Sequence, residues 1–368
     1  MQYSLLQPNR GGELCSDIRS WLARDDFVDC NGGGSCGSMA TRATILQNKD
    51  PQIRSAEMPA YHIEKSIRID ADPITVYNKI ADYSQWTVWS PWLIAEPTAK
   101  VTVSGNANSV GSTYGWVGEV TGEGKLTHKV LEPGKRIEDE LCFIKPFKSV
   151  CKIAFHLSPE GSGTKVTWHM DGNMPWFLFW MIPMLKTLIG MDYSRGLNML
   201  KELIETGSIS SKVEVHGKHP VQKFKMLGIA SKCSVESVGA SMEEAFKKAQ
   251  REFEQFRLPL DGKMISVYTR FRMKEGVFEY ISGFIVPEST VVPANSNLKE
   301  WKMVAPSAFK VAHVGPYHHL GNGWSVANQI VRYKKMKQHG CGTYEIYVTT
   351  PPDTAERELV TEIYLPLK

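Results

Sequence analysis

The sequence has no long hydrophobic run. Its most apolar stretch, Met174 to Leu185, gives twelve residues before Lys186 and is interrupted by Pro183. Roughly 20 apolar residues are needed to cross a bilayer, so stable membrane insertion is not expected. Basic blocks are missing as well. The nearest, Lys247-Lys248 and Lys334-Lys335, read as solvated helix faces, and the net charge of +4 is mild for the length. This excludes a phosphate-tracking surface, and no nucleic-acid partner is expected. Seven cysteines (15, 30, 36, 142, 151, 233 and 341) form an odd set at irregular spacing. That pattern excludes a disulfide framework and implies a reducing, cytoplasmic compartment. Metal spacing is absent: Cys30 and Cys36 are isolated, and the adjacent His318-His319 cannot share one helix face. With no G-x-S-x-G elbow, phosphate loop or dinucleotide fingerprint, neither a metal nor a cofactor is expected.

What is present describes an ordinary globular chain. Hydrophobic residues make up 42% and charged residues 22%, and 368 residues exceed a typical single core, which suggests two domains with a tail. Residues 1–58 do not pattern as a domain. They hold one short amphipathic segment, Leu14 to Phe27, and a Gly-rich run, Asn31 to Gly37, without the basic and apolar regions of a secretory signal. This stretch reads as a flexible extension, with Met39 and Met58 as alternative starts.

From residue 59 to 207 the pattern is that of a sheet closed by one helix. Tyr61 to Ile69 alternates as a strand, and Asp72-Pro73 places an N-cap and a first-turn proline at the head of a helix to about Ala81. Three tryptophans then fall within Trp86-Thr87-Val88-Trp89-Ser90-Pro91-Trp92. Strands are expected at Ser112–Val117, Gly124–Leu131, Arg136–Phe143, Ser149–Leu157 and Thr164–Met170, separated by Gly- and Pro-containing turns. Leu185, Leu188, Ile189, Leu197, Leu200, Leu203 and Ile204 keep helical spacing up to Gly207, a natural stop. The order of strand, Asp-x-Pro helix, Trp-Ser-Pro-Trp, meander and long helix with Asp192-Tyr193-Arg195-Gly196-Leu197 resembles the SRPBCC superfamily. That is the helix-grip fold of START-type lipid-transfer domains, birch-pollen-allergen-like proteins and polyketide cyclases. The resemblance implies a cavity for apolar molecules, lined or capped by Trp89, Trp92, Trp116, Phe143 and Trp168. The competing reading is that these rings simply fill the core.

Residues 208–222 are polar and read as a linker. Beyond them, over 223–368, a unit occurs twice about 85 residues apart. Its first copy is a strand over Lys223–Cys233, a helix opened by the box Ser241-Met242-Glu243-Glu244, and strands at Met264–Phe271 and Val277–Val286. The second is Ser307–His313, a helix from Tyr317 to about His339 ended by Gly340, and strands at Gly342–Thr349 and Glu358–Leu367. Two β-α-β-β units make one sheet with both helices on one side, and the other face is expected to form a central groove. The whole chain is thus of the α+β class.

This half resembles the gyrase-inhibitor-like family, which shares its fold with effector-binding domains of multidrug-sensing regulators. The resemblance rests on Gly276-Val277-Phe278-Glu279-Tyr280 with Gly283-Phe284, on His313-Val314-Gly315-Pro316-Tyr317 with Trp324, and on Tyr344-Glu345-Ile346-Tyr347 with Pro351 and Thr361 to Pro366. It implies that Glu345 is the polar centre of an aromatic groove, with Glu362 as its rival. Strand alternation puts Glu345 and Tyr347 on one face. Tyr280, Phe284, Tyr317 and Trp324 would then offer ring faces to a ligand.

Two uses of such a carboxylate are open. Ionised, it is a counter-charge for a small hydrophobic or cationic ligand, which makes the chain a two-module binder for sensing, sequestration or detoxification. Partly desolvated, it is a general base, and the resemblance implies a hydrolase of strained small molecules as the alternative. A lipid or polyketide carrier or cyclase acting through the first module is the third reading. A transcription regulator is disfavoured, because the fused partner is not a DNA-reading module.

Overall fold

The computed structural model describes residues 58–146 and 148–368. The extension expected over 1–58, with its amphipathic segment and the start at Met39, lies outside the described residues, Met58 excepted. Two antiparallel sheets follow one another along the chain.

The first sheet has seven strands in the order β1-β7-β6-β5-β4-β3-β2. These are β1 (Ala60–Ile69), β2 (Lys100–Val103), β3 (Thr113–Val117), β4 (Glu123–Glu132), β5 (Arg136–Lys145), β6 (Ser149–Glu160) and β7 (Gly163–Asn173). The five expected meander strands are present, and β2 adds one that short, poorly alternating residues had hidden. Helix α1 (Pro73–Ala81) begins as Asp72 and Pro73 predict, because the Asp72 carboxylate accepts from the backbone N–H groups of Ile74 and Thr75. The cap satisfies two of the N–H groups that the first turn of a helix otherwise leaves unpaired.

Helix α2 (Ile182–Thr206) follows a 3₁₀ stretch, Trp176–Met181, and places Pro183 in its first turn, where the missing N–H costs nothing. It ends at Gly207 in the left-handed conformation (φ 83°), whose N–H bonds to the Leu203 carbonyl. Tyr193, Leu197, Met199 and Leu200 face inward. Gly196 permits the approach, since a Cβ there would stand 2.9 Å from the Trp168 ring. The sheet therefore grips α2, as the pattern predicts.

The second sheet has eight strands in the order β12-β9-β11-β10-β14-β15-β13-β8. They are β8 (Lys212–Pro220), β9 (Phe224–Ser234), β10 (Met264–Arg272), β11 (Val277–Val286), β12 (Leu298–Met303), β13 (Ser307–Val314), β14 (Thr343–Tyr347) and β15 (Val360–Leu367). Helix α3 (Val238–Gln255) lies between β9 and β10, and α4 (Leu320–Tyr333) between β13 and β14. The duplication is larger than the sequence pattern shows. Each copy is preceded by a strand that pairs with the other copy: β8 joins β13, and β12 joins β9. Three expectations are corrected by this architecture.

Most of the stretch 208–222 is not a linker: residues 212–220 form the edge strand β8, whose polarity reflects exposure of an outer strand rather than lack of structure. The box at Ser241 does not cap α3. The helix begins at Val238 after a 3₁₀ turn, and the Ser241 hydroxyl is instead bonded to the Tyr280 hydroxyl at 2.6 Å. Helix α4 stops at Tyr333, before Gly340, and Lys335 takes the left-handed turn (φ 52°).

Candidate functional site

Glu345 sits at the middle of β14, in the two central strands of the second sheet. Register places it opposite Ser266 on β10 and Ile363 on β15. Period-two alternation then puts Glu345, Tyr347, Ser266, Tyr268, Ser282 and Tyr280 on one face. That face is the one covered by α3 and α4, which corrects the expected placement of the groove. Its opposite carries Tyr344 stacked on Tyr364 at 4.8 Å, with Trp301 and Phe224 against them. The reason is packing: the apolar residues of the far face form their own aromatic layer, so the polar line Ser266–Ser282–Glu345 is left beneath the seam between the two helices.

The carboxylate of Glu345 has no exposed surface. Its Oε1 accepts from the Tyr347 hydroxyl at 2.5 Å and the Tyr268 hydroxyl at 3.4 Å, and its Oε2 from the indole Nε1–H of Trp324 at 2.7 Å. Burial pushes the carboxyl pKa up to about 7, although the Tyr347, Trp324 and Tyr268 donors each favour the ionised form. Burial, and then the charge of Glu345, raise the Tyr268 and Tyr347 hydroxyls well above the usual tyrosine value. Both hydroxyls therefore stay protonated donors at neutral pH.

Rings close the box. Trp324 meets Tyr268 edge-on at 5.0 Å, Phe246 of α3 meets Tyr347 at 5.4 Å, and Tyr317 meets Tyr347 at 5.6 Å. The sulfur of Met242 lies 3.7 Å from the Tyr347 hydroxyl. Tyr317, 39% exposed, is the ring nearest solvent.

The residues singled out in the sequence divide. Tyr347, Trp324 and Tyr317 stand around Glu345. Tyr280 is one strand further off, its ring 6.3 Å from Tyr268. Phe284 packs against Phe253 and Phe246 under α3. Glu362 is on the opposite face, where its carboxylate accepts from Lys310 at 2.7 Å and the Tyr364 hydroxyl at 2.7 Å. Tyr268, Met242, Phe246 and Ser266 were missed. Their elements are legible in the sequence, but cross-strand register and helix placement, which bring them to Glu345, are not.

In the first module, Trp89, Trp92 and Trp168 do come together. Trp168 stacks on Tyr193 at 3.9 Å and on Phe155 at 4.8 Å, with Trp89 and Trp92 edge-on to it at 5.7 and 5.8 Å. Trp116 and Phe143 pair separately at 6.2 Å. The fully buried Trp89 Nε1, Trp168 Nε1 and Tyr193 hydroxyl have no protein hydrogen-bond partner among the described residues. Nearby, the buried His128 bonds through Nδ1 to Asp139 at 2.6 Å and through Nε2 to the Ala81 carbonyl at 2.9 Å. A carbonyl can only accept, so Nε2 carries a proton.

The two modules meet along α2 and α4. The buried Arg195 of α2 donates to Asn322 Oδ1 of α4 at 3.0 Å, to the Pro91 carbonyl at 3.1 Å and to Asp192 at 2.6 Å. Asp192 in turn accepts from the Trp92 indole at 3.1 Å. His319 donates through Nε2 to Glu202 of α2 at 2.6 Å. Asn322 and Trp324 lie two residues apart on α4. One helix thus touches the tryptophan-rich loop of the first module and the carboxylate of the second.

The described residues divide into two modules, one per sheet. Residues 60–205 match the family described as polyketide cyclase/dehydrase and lipid transport, and residues 220–368 match the GyrI-like small molecule binding domain. The two matches follow one another along the chain in that order, as the sequence pattern predicts. No curated protein matches it. Solved structures similar to part of it include CalU16 from Micromonospora echinospora, 17% identical over 40% of this chain and 78% of that one, with a TM-score of 0.30. The Aha1 dimer from Colwellia psychrerythraea is 20% identical over 40% and 98% of the two chains, with a TM-score of 0.31. A Chromobacterium violaceum protein is 18% identical over 39% and 97%, with a TM-score of 0.29. Likenesses at this level carry no functional argument. Among the described residues no helix is long and apolar enough to cross a membrane.

Proposed function

We propose that the protein is a binder of small hydrophobic or cationic molecules, with Glu345 as the polar centre of the second module's site. The observation that carries this reading is a carboxylate without exposed surface, poised to ionise near neutral pH and walled by Trp324, Tyr268, Tyr347 and Tyr317. A lipophilic cation entering such a box gains both the counter-charge and ring faces. The ligand reaches Glu345 by displacing a ring, and Tyr317 is the outermost. Titration of the intact protein with a lipophilic cation, followed by tryptophan fluorescence, tests the reading; an unchanged signal up to millimolar cation would contradict it.

The pKa near 7 supports a second reading, hydrolysis, because a general base works best when its pKa lies near the working pH. Glu345 would take a proton from water as the water attacks a strained ring carbon, and the Tyr268 or Tyr347 hydroxyl would protonate the departing atom. Mass spectrometry after incubation with epoxides and strained lactones separates the two: unaltered compounds across a broad panel leave the binder.

The first module is proposed as an apolar-ligand site centred on Trp89, Trp168 and Tyr193. Their buried, unpaired donors suit a molecule with a polar group at one end, since such groups are normally satisfied. Native mass spectrometry of the purified chain would reveal a retained ligand.

A further inference from the structure

A separate constellation lies on the outward face of the first sheet. His62 and Glu64 alternate on β1 and point the same way, and the β1–β7 register sets Glu64 opposite His169 and His62 opposite Asp171. Glu64 Oε2 is 3.4 Å from His62 Nε2 and 3.4 Å from His169 Nδ1. The three atoms lie within 4.8 Å of one another.

These distances have chemical content. A charge-assisted hydrogen bond between imidazole and carboxylate closes to about 2.7–2.9 Å. His62 Nδ1 makes one of that kind with Asp171 Oδ1, at 2.6 Å. The two Glu64 approaches are longer. Ligand atoms at about 2.0–2.1 Å from a tetrahedral zinc ion stand about 3.4 Å apart, which is the spacing seen on both sides of Glu64. His62 is also held as metal-binding imidazoles usually are, with one ring nitrogen tied to a carboxylate and the other aimed at the ligand set. His62 and Asp171 further border a surface concavity shared with Lys152 and Gly172.

We propose that His62 Nε2, Glu64 Oε2 and His169 Nδ1 form a binding site for a divalent transition-metal ion of the zinc class, with Asp171 orienting His62 and a fourth position open to solvent. Two imidazoles and one carboxylate suit zinc better than magnesium or calcium, which take oxygen ligands. A second group of this composition among the described residues, Glu202 with His318 and His319, differs in kind. There the His319–Glu202 contact is a 2.6 Å hydrogen bond, and Glu202 already accepts the Ser210 backbone N–H. It joins α2 to the chain around α4 and serves as an internal control.

The full chain, stripped of metal with a chelator, is titrated with Zn²⁺ against a chromophoric competitor, and with Co²⁺ for the visible bands of a tetrahedral ion. One equivalent is expected to bind. His62→Ala, Glu64→Gln and His169→Ala should each weaken it at least tenfold, Asp171→Asn should weaken it about ten- to a hundredfold, and His318→Ala should leave it unchanged. Circular dichroism of each variant confirms that the sheet is intact. No zinc binding at micromolar concentration would overturn the proposal. So would affinity that survives both histidine substitutions, or that is lost in His318→Ala instead.

Discussion

The indole N–H of Trp324 on α4 donates to the carboxylate of Glu345 on β14 across 2.7 Å, so the position of one helix sets the environment of the one carboxylate beneath it. Two residues earlier on α4, Asn322 accepts from Arg195 of the first module. The helix that supplies Trp324 is therefore also the one held by the first module.

Burial of Glu345 makes stability depend on pH. Its folded pKa of about 7 lies above the ordinary value of 4.5. The folded state thus holds this proton more tightly than the unfolded state. The associated stabilisation is complete below about pH 4.5 and is lost as pH rises to about 7. A shift of this size corresponds to about 3 kcal/mol. Glu345→Gln removes the titration, so denaturant unfolding should show the variant gaining on wild type by about 2–3 kcal/mol between pH 5 and pH 8. Parallel pH profiles for the two would contradict the assignment.

Arg195 ties the modules together through buried partners. Arg195→Ala leaves Asn322 Oδ1 without its donor and Asp192 with the Trp92 indole alone, and losing a buried charged partner costs about 2–4 kcal/mol. Lys247→Ala removes only an exposed pair with Glu243 and should leave stability nearly unchanged. Chemical denaturation of the full chain checks both. Equal small losses would mean that the inter-module network contributes little.

Gly283 and Gly228 face each other across β11 and β9. A Cβ on Gly283 would run into the Leu227 carbonyl and Gly228 Cα, which are backbone atoms that cannot swing away. Gly283→Ala should lower stability by about 2–3 kcal/mol, read as a fall in the unfolding midpoint. Val291→Ala, at a largely exposed loop position, should have little effect.

Fold and site were legible to different depths. Asp72-Pro73, Gly207 and the meander strands are local signals, and the structure follows them. The strand exchange that places β8 beside β13 could not be read, because strand partners are set by tertiary pairing and a polar edge strand carries the composition of a linker. For the same reason Glu345 and Tyr347 could be placed on one face from alternation alone, whereas Tyr268 and Met242 could not be placed beside them. The sequence pattern puts Glu345 on the open face, because the aromatic layer of Tyr344, Tyr364 and Trp301 that occupies that face combines residues from separate strands.

The most direct test of the central claim is the affinity of the intact protein for tetraphenylphosphonium, a lipophilic cation whose own charge does not titrate, measured by calorimetry for wild type and Glu345→Gln. Binding to wild type should be steady above about pH 7 and weaken about tenfold per pH unit below it, because the cation then has to displace a proton from Glu345. In the variant, binding at pH 8 should be at least tenfold weaker and should lose this pH dependence. Equal affinity in the two proteins, with the same pH profile, would remove Glu345 from the site.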